Sequence, residues 1–592
     1  LSVLALALIG LGAWLVCRDR TDTRQVWFED VRGPLWLPAA DEEALVRFAA
    51  AAISGQQAPC ADLPPALTQD DAPRVVFVSV SDGRTPARIA PGSGRGILPA
   101  VEQAISNAQP LPEAGTQPQW IKVDIVQYVT APHDVEWGQP LELERSLYGI
   151  AFEAQSGIAF LPEELVAHTL ADSEQVIRPG NIAGYLEERA DLAEAYRRLV
   201  SSGPVRTYRF TTTGSFWDGD DVVRLYRGHR TFDRISREEL RSAAEGGGQY
   251  LTRAVRPDGR FAYTYWPKTD SVPDEYNILR HAGTVYAMLE LYELTGDDAL
   301  LGAARRAIGY LLQSVELCPT SAGPLPCIVE DGYTKLGGNA LAAIALARTI
   351  EVTGDDQTMP LLLDLGRWIQ RAQSEGGRFA IQKQSYPAGQ VADFVSGYYP
   401  GEALLALTRI YALDPDETWL DAAEAGALYL INVRDGGLPD SSLPHDHWLL
   451  IALNELYRQR PNPLYVDHAL RTADAMLQSQ NRHPAYADWL GSFNEPPRSA
   501  STATRVEGLC AAYRLARDFG HPQEAEAILE GMWLGAGFQL QTQFRPESAM
   551  YLPDPERALG GFHRSLTDFE IRVDYVQHNI SSLVCLYRVS GG

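Results

Sequence analysis

The sequence predicts a multidomain chain: an apolar N-terminal segment suited to span a membrane, then an α+β domain, then an all-α ring of helical hairpins. Three observations carry this. The chain has 592 residues, too many for one compact core. Its texture changes near residue 216, from short strand-like runs rich in proline to long helical periods. From residue 236 onward an apolar helix, a tight turn and a second amphipathic helix recur five times. The expected boundaries are 1–20 for the membrane segment, 24–215 for the α+β domain, 216–235 for a junction and 236–592 for the ring.

Composition narrows the function. With 45% hydrophobic and 21% charged residues, neither a disordered nor a fibrous chain fits. Asp and Glu number 76 against 51 Lys and Arg, a formal charge of −25, which argues against a nucleic-acid partner. Lysine is scarce (Lys122, Lys268, Lys335 and Lys383), which reads as a compositional bias without functional content.

Residues 1–17, LSVLALALIGLGAWLVC, carry no charge and are followed at once by Arg18-Asp19-Arg20. About 17 apolar residues is the lower limit for a bilayer span. A cleaved signal peptide wants small residues before the cut, and Trp14-Leu15-Val16 is a poor site. A lipoprotein anchor at Cys17 would want a small residue at Val16. A retained single-span anchor is therefore expected, with the lipid bilayer as one partner. Cysteine usage chooses the side. Cys318 and Cys327 bracket the loop CPTSAGPLPC, and Cys510 and Cys585 lie on segments that the repeat places side by side. Two such pairs among six cysteines point to an oxidising, periplasmic or extracellular location. Free buried cysteines in the cytoplasm are the alternative.

In the α+β region, Arg74 to Val80 and WIKVDIVQYV (120–129) alternate as strands do. Residues 97–108 and 187–199 have helical periods. The order VFVSVSDGRTPARIAPGSGRGILPAVEQAIS, WIKVDIVQYVTAP, YGIAFEAQSGIAFLPEELVAH resembles the AMMECR family, an α+β fold, over about 120 residues. The matching pieces are the strand with its Asp82-Gly83-Arg84 turn, the helix after Gly96, and the hairpin from Gly149 to Pro162 ending in FLPEE. The family's Arg-Gly-Cys-type motif is absent, and Arg88-Ile89-Ala90 stands in its place. No functional residue carries across, and a packing or partner-binding role is expected. FTTTGSFWDGDDVVRLYRGHR (210–230) reads as strand and turn leading into the ring.

The hairpins cover residues 282–313, 337–373, 401–433, 447–480 and 503–543. Their turns fall at Thr295-Gly296-Asp297, Thr353-Gly354-Asp355, Asp414-Pro415, Arg460-Pro461 and Phe519-Gly520, spaced by about 46 to 61 residues. Glycine lets the chain leave a helix, and Asp caps the next. Two single helices remain, 237–254 and 575–589. Pairing them makes a sixth hairpin and closes the circle into an (α/α)6 toroid. The apolar first helices (AMLELY, ALAAIALA, ALLALTRIY, LLIALNELY) suit an inner ring. These residues resemble the six-hairpin, or (α/α)6-barrel, superfamily over about 236–592. That resemblance implies the fold of many glycoside hydrolases, polysaccharide lyases and sugar epimerases. An open helical solenoid used for binding is the alternative.

In a closed ring the loops leading into the inner helices converge on one funnel. They bring Arg280 and His281; Lys335; Tyr399 and Glu402; Asp446, His447 and Trp448; Arg505 and Glu507; and Asp574 and His578. Four of the eleven histidines stand at these helix starts, counting His445. Glycoside hydrolysis needs two carboxyl groups flanking one bond, and Glu402, Asp446 and Glu507 are the candidates. Uronate lysis or epimerisation needs a base beside an acidic carbon and cations for the resulting anion. His281, His447 and Tyr399, with Arg280 and Arg505, suit that chemistry. Lys335, Trp448, Asp574 and His578 complete the expected substrate-binding set. Asp446 and Glu402 are also ordinary helix-start residues, and Thr504 with Glu507 matches a local cap. An i, i+2 histidine pair is a weak metal signature, so no metal and no cofactor is expected. The expected function is a membrane-anchored carbohydrate-active enzyme acting on an envelope or exported polysaccharide. Hydrolysis leads, and uronate lysis or epimerisation follows. An accessory or scaffold subunit of a membrane protein complex, or a glycan-binding protein, are the rivals.

Overall fold

The computed structural model describes residues 26–56, 62–108, 118–137, 140, 147–172, 175–201, 203–232 and 234–591. The apolar run 1–17 lies outside the described residues. Among the described residues no helix is long and apolar enough to cross a membrane. The chain forms two compact units. The first comprises residues up to Thr231 together with Pro267–Asp270 and Phe544–Leu559, and the second comprises the rest.

The first unit is built on an antiparallel sheet of β1 (Pro73–Ser81), β2 (Arg88–Arg95), β3 (Trp120–Val129), β4 (His133–Val135), β5 (Gly149–Phe152), β6 (Ala159–Phe160), β7 (Val205–Trp217) and β8 (Val222–Leu225). The order is β2-β1-β3-β7-β5-β6, with β4 and β8 also paired to β7. β1 and β3 are buried along most of their length, as central strands covered on both faces are. The helix Ile97–Ala108 packs on β1 and β2, and Gly92 allows it: a Cβ there would sit 2.2 Å from the backbone nitrogen of Ala104. The 210–230 segment is strand, turn and strand, as its sequence suggested, and it belongs to this sheet.

Phe544–Leu559 was expected to be part of the ring and instead belongs to the first unit. Its reason is a buried charge cluster. Lys122, fully buried, places Nζ 3.0 Å from Asp124 Oδ2, 2.7 Å from Glu163 Oε1 and 3.1 Å from the Tyr551 hydroxyl. Burial pulls the Lys122 pKa down, but Asp124 and Glu163 outweigh it and hold the ammonium charged. Arg230 also pairs with Glu547, and the Met550 carbonyl accepts from the Ala87 N–H at 2.7 Å.

In the second unit the six inner helices are Ile278–Thr295, Leu336–Thr353, Tyr399–Leu413, His447–Gln459, Ser499–Asp518 and Val573–Val589. Each packs on the next, and the last returns to the first. Ser581 on the last helix donates to Glu290 on the first at 2.7 Å. The lone helix Arg237–Ala254 packs on Val573–Val589 and completes the sixth hairpin. The punctuation works as its chemistry dictates. Gly296 and Gly354 leave their helices in the left-handed region, at φ +68° and +70°. Asp297 then accepts the Ala299 N–H at 2.8 Å to start the outer helix. Disulfides join Cys318 to Cys327 and Cys510 to Cys585, the two expected pairs. The second ties two neighbouring inner helices together.

Candidate active site

The starts of the inner helices share one end of the ring. Gly283 lies against Gln577, Gly337 against Tyr399 and Glu402, Gly401 against Asp446, and Gly508 against His447. A Cβ at Gly337 would fall 2.4 Å from Glu402 Oε2, so only a residue without a side chain lets that carboxyl reach its place. Asn277 caps the first inner helix by accepting the Arg280 N–H at 3.0 Å, and Asp446 caps the fourth through the Leu449 N–H at 3.1 Å. The fifth helix already begins at Ser499. Glu507 is therefore a carboxylate two turns inside a helix, and a cap interaction with Thr504 is not what holds it.

The centre is built from the fourth, fifth and sixth inner helices. His578 Nδ1 lies 2.8 Å from Glu507 Oε2. His447 Nε2 is 3.7 Å from the same oxygen, beyond hydrogen-bond reach, and neither of its ring nitrogens has a hydrogen-bond partner among the described residues although the residue is 3% exposed. The two imidazoles face each other at 5.3 Å between centroids, with ring planes at 82°. Trp448 flanks His447 at 5.0 Å and Tyr398 at 5.6 Å.

This arrangement drives the two histidines apart in acidity. Burial, then the nearby positive charges of His578 and Arg505, hold His447 well below the usual range, so it is neutral. Burial also pulls His578 down, but the charge and hydrogen bond of Glu507 outweigh it and raise its pKa. Burial raises Glu507 in turn, and His578 limits the rise. The ligand atoms of His447, Glu507 and His578 lie within 4.8 Å of one another, near enough to hold one ion. The 2.8 Å separation of His578 Nδ1 from Glu507 Oε2 is also hydrogen-bond length, and with a proton shared there the same three groups form an acid–base set.

Beside it stands a second titratable group. Glu402 is 3% exposed, and its Oε2 has no hydrogen-bond partner among the described residues. Burial, with the Asp446 charge behind it, pushes its pKa up to about 8, so near neutral pH it is a carboxylic acid able to donate a proton. Asp446 is pushed up to about 6 by burial, against the pull of Arg434 and the Leu449 N–H. Tyr399 next to Glu402 is pushed up to about 12 by burial and that neighbour, and stays a neutral phenol.

No family model matches the chain. Over 323 residues the chain is 24% identical to N-acylglucosamine 2-epimerase of Bos taurus, a match covering 48% of this chain and 74% of that protein. Cellobiose 2-epimerase from Bacillus thermoamylovorans superposes with a TM-score of 0.45 at 14% identity, covering 60% of this chain and 98% of that one. An inactive variant of the alpha-1,6-mannanase of a Salegentibacter species, in complex with alpha-1,6-mannotriose, superposes with a TM-score of 0.43 at 14% identity over 59% of this chain and 99% of that one. The second unit is a six-hairpin ring.

Other residues expected at the site are distributed as follows. Arg280 places Nε 3.2 Å from Asp574, which Arg572 also grips, and donates to the Tyr263 hydroxyl at 2.9 Å. Lys335 pairs with Glu330 at 3.4 Å. Trp448, 4% exposed, is a wall behind His447 and not an open stacking surface. Arg505 donates from Nε to His445 Nδ1 at 3.1 Å. His281 is not brought to the others. It is fully buried, with Nδ1 2.7 Å from the Tyr276 hydroxyl and Nε2 2.8 Å from the Ala307 carbonyl oxygen, between the rings of Phe261 and Tyr310. Burial pulls it down to about 4, and it serves as a neutral core bridge.

Sequence reasoning missed a polar layer deeper in the ring. Glu290 accepts from Ser581 at 2.7 Å and from the Tyr286 hydroxyl at 2.5 Å, and Tyr286 accepts from Arg409, itself paired with Glu455 at 2.7 Å. The available signal was charge on otherwise apolar inner helices, as in AMLELY and ALLALTRIY.

Proposed function

We propose that the second unit is a carbohydrate-converting enzyme that moves a proton on and off a carbon beside a carbonyl group, an isomerase or epimerase of sugars. The observation that carries this is the pair of neighbouring imidazoles, one neutral and without a hydrogen-bond partner among the described residues, the other made more basic by Glu507. Two titratable groups driven in opposite directions mark a base and an acid. In this reading His447 takes the proton from the sugar carbon. The electron pair moves into the carbonyl, where the neutral Glu402 carboxyl donates to the developing oxyanion. The charged His578 returns a proton to the carbon. The 24% identity to a sugar 2-epimerase supports the same class of reaction.

Hydrolysis ranks second. It needs a second carboxyl group free to activate water or attack the sugar. Glu507 is engaged by His578, and Asp446 is a helix cap held by Arg434 at 3.3 Å, which leaves Glu402 alone. A passive scaffold has no use for a buried imidazole without partners, because such groups cost stability. For the first unit we propose a packing or partner-binding role, supported by the missing Arg-Gly-Cys motif. The two disulfides support a periplasmic or extracellular location, and the apolar residues 1–17 support a membrane anchor.

The test is a panel of reducing sugars, N-acylhexosamines and uronates, incubated with the wild type and single variants. His447→Gln and His578→Gln are expected to lose interconversion by roughly a hundredfold to ten-thousandfold, the range of general acid–base contributions. Full activity in both variants contradicts the assignment.

A further inference from the structure

The rim between the third, fourth and fifth inner helices holds a cation whose charge is not compensated. Four other basic groups near the helix starts have carboxylate partners: Arg280 with Asp574, Arg572 with Asp574, Arg434 with Asp435 and Asp446, and Lys335 with Glu330. Arg505 has none within ion-pair distance among the described residues. Its Nε donates to His445 Nδ1 at 3.1 Å and its Nη1 to the Ser501 carbonyl at 2.8 Å, while the guanidinium lies 5.3 Å above the Phe493 ring. These contacts fix the plane of the group and leave Nη2 without an acceptor among the described residues.

The surroundings sharpen the point. His445 accepts from Arg505, so it is neutral there, and burial with the Arg505 charge brings it down to about 4. Burial lowers Arg505 itself, and no carboxylate offsets this; Tyr398 is the one neighbour that raises it. Tyr398 is 51% exposed and places a phenol beside the same rim. A half-buried cation without a counter-charge is costly unless a ligand supplies one. Arg505 also adds to the positive field that keeps His447 neutral, so it stands close to the proposed base.

We propose that the sugar handled by this site carries a negatively charged group, a carboxylate or a phosphate ester, and that Arg505 with Tyr398 forms the subsite that binds it. This rests on the site assignment above and names its substrate class. The planar fork of arginine suits two-point contact with either oxyanion. A carboxylate bound here on the carbon acid itself would have the charge of its deprotonated form stabilised by the same guanidinium.

The test is calorimetric titration of the full chain with glucuronate, glucose 6-phosphate and glucose. Wild type is expected to bind at least one anionic sugar roughly tenfold to a hundredfold more tightly than glucose, the scale of a charged hydrogen-bonded contact, with the advantage shrinking as salt rises. Preference for glucuronate alone assigns a carboxylate, and preference for the phosphate alone assigns a phosphate ester. Arg505→Met is expected to erase the preference and Arg505→Lys to keep part of it, with thermal melting confirming that both are folded. Equal affinity for glucose and both anions in wild type, or an undiminished preference in folded Arg505→Met, overturns the proposal. Selectivity without proton exchange on the sugar would leave the anion subsite standing and remove the isomerase reading. Exchange on neutral sugars without selectivity would do the reverse.

Discussion

His447 and His578 face each other at 5.3 Å, and a single carboxylate, Glu507, hydrogen-bonds one of them and stops short of the other. This asymmetry makes two chemically identical side chains different. Removing Glu507 is expected to remove the difference. In Glu507→Gln the charge and hydrogen bond that most raise His578 disappear, leaving burial and the Arg280 charge opposed only by Asp574, so its pKa falls. Titration of the His578 ring followed by NMR checks this; an unchanged midpoint contradicts it.

The Glu402 carboxyl ties stability to pH. Its folded pKa of about 8 lies above its ordinary value of 4.5, so between these limits the folded chain holds a proton that the unfolded chain has lost. Stability contributed by this group is complete below about pH 4.5 and declines as pH rises towards 8, by an amount on the order of 5 kcal/mol. Glu402→Gln is expected to flatten this slope and to be relatively more stable than wild type near pH 8 than near pH 5. Denaturant unfolding at both pH values decides it. Wild-type activity should also fall as pH passes through about 8, where the proton donor is lost.

The Cys510–Cys585 disulfide joins the helices that carry Glu507 and His578, with Cys510 one helical turn beyond Glu507. It closes a span of 75 residues, for which chain-entropy arguments give about 4 kcal/mol. The double variant Cys510→Ala with Cys585→Ala is expected to unfold at a lower denaturant midpoint and to lose more activity than stability alone explains. Unaltered turnover in the folded variant would show that the pair of helices holds its register without the bond.

In the first unit, Lys122→Met leaves Asp124 and Glu163 buried beside each other without their cation. Breaking a buried pair from one side costs about 3–5 kcal/mol. A loss of that size in the unfolding transition of the first unit is expected. An unchanged transition would contradict this.

The ring was legible because its punctuation is local. Gly296, Gly354 and Asp297 act within a few residues of themselves, and the apolar inner helices repeat. The destination of Phe544–Leu559 was not legible, because it depends on Tyr551 meeting Lys122, more than 400 positions away in the chain. Reading the helix starts gathered the right neighbourhood but not the roles within it. His281 follows Arg280 directly, yet adjacent helical residues point about 100° apart, so one reaches Asp574 and the other turns into the core. Asp446 has the composition of a catalytic acid and the geometry of a cap. Glu290 sits mid-helix, where only the ring's closure shows that it faces Ser581.

The central claim is that His447 exchanges a proton with a sugar carbon. Incubating the chain in deuterated water with the sugar panel, and reading the carbon beside the carbonyl by NMR, tests this most directly. The account predicts deuterium at that carbon with wild type and little or none with His447→Gln. New reducing ends appearing without deuterium on carbon, or undiminished exchange in the folded His447→Gln variant, would contradict it.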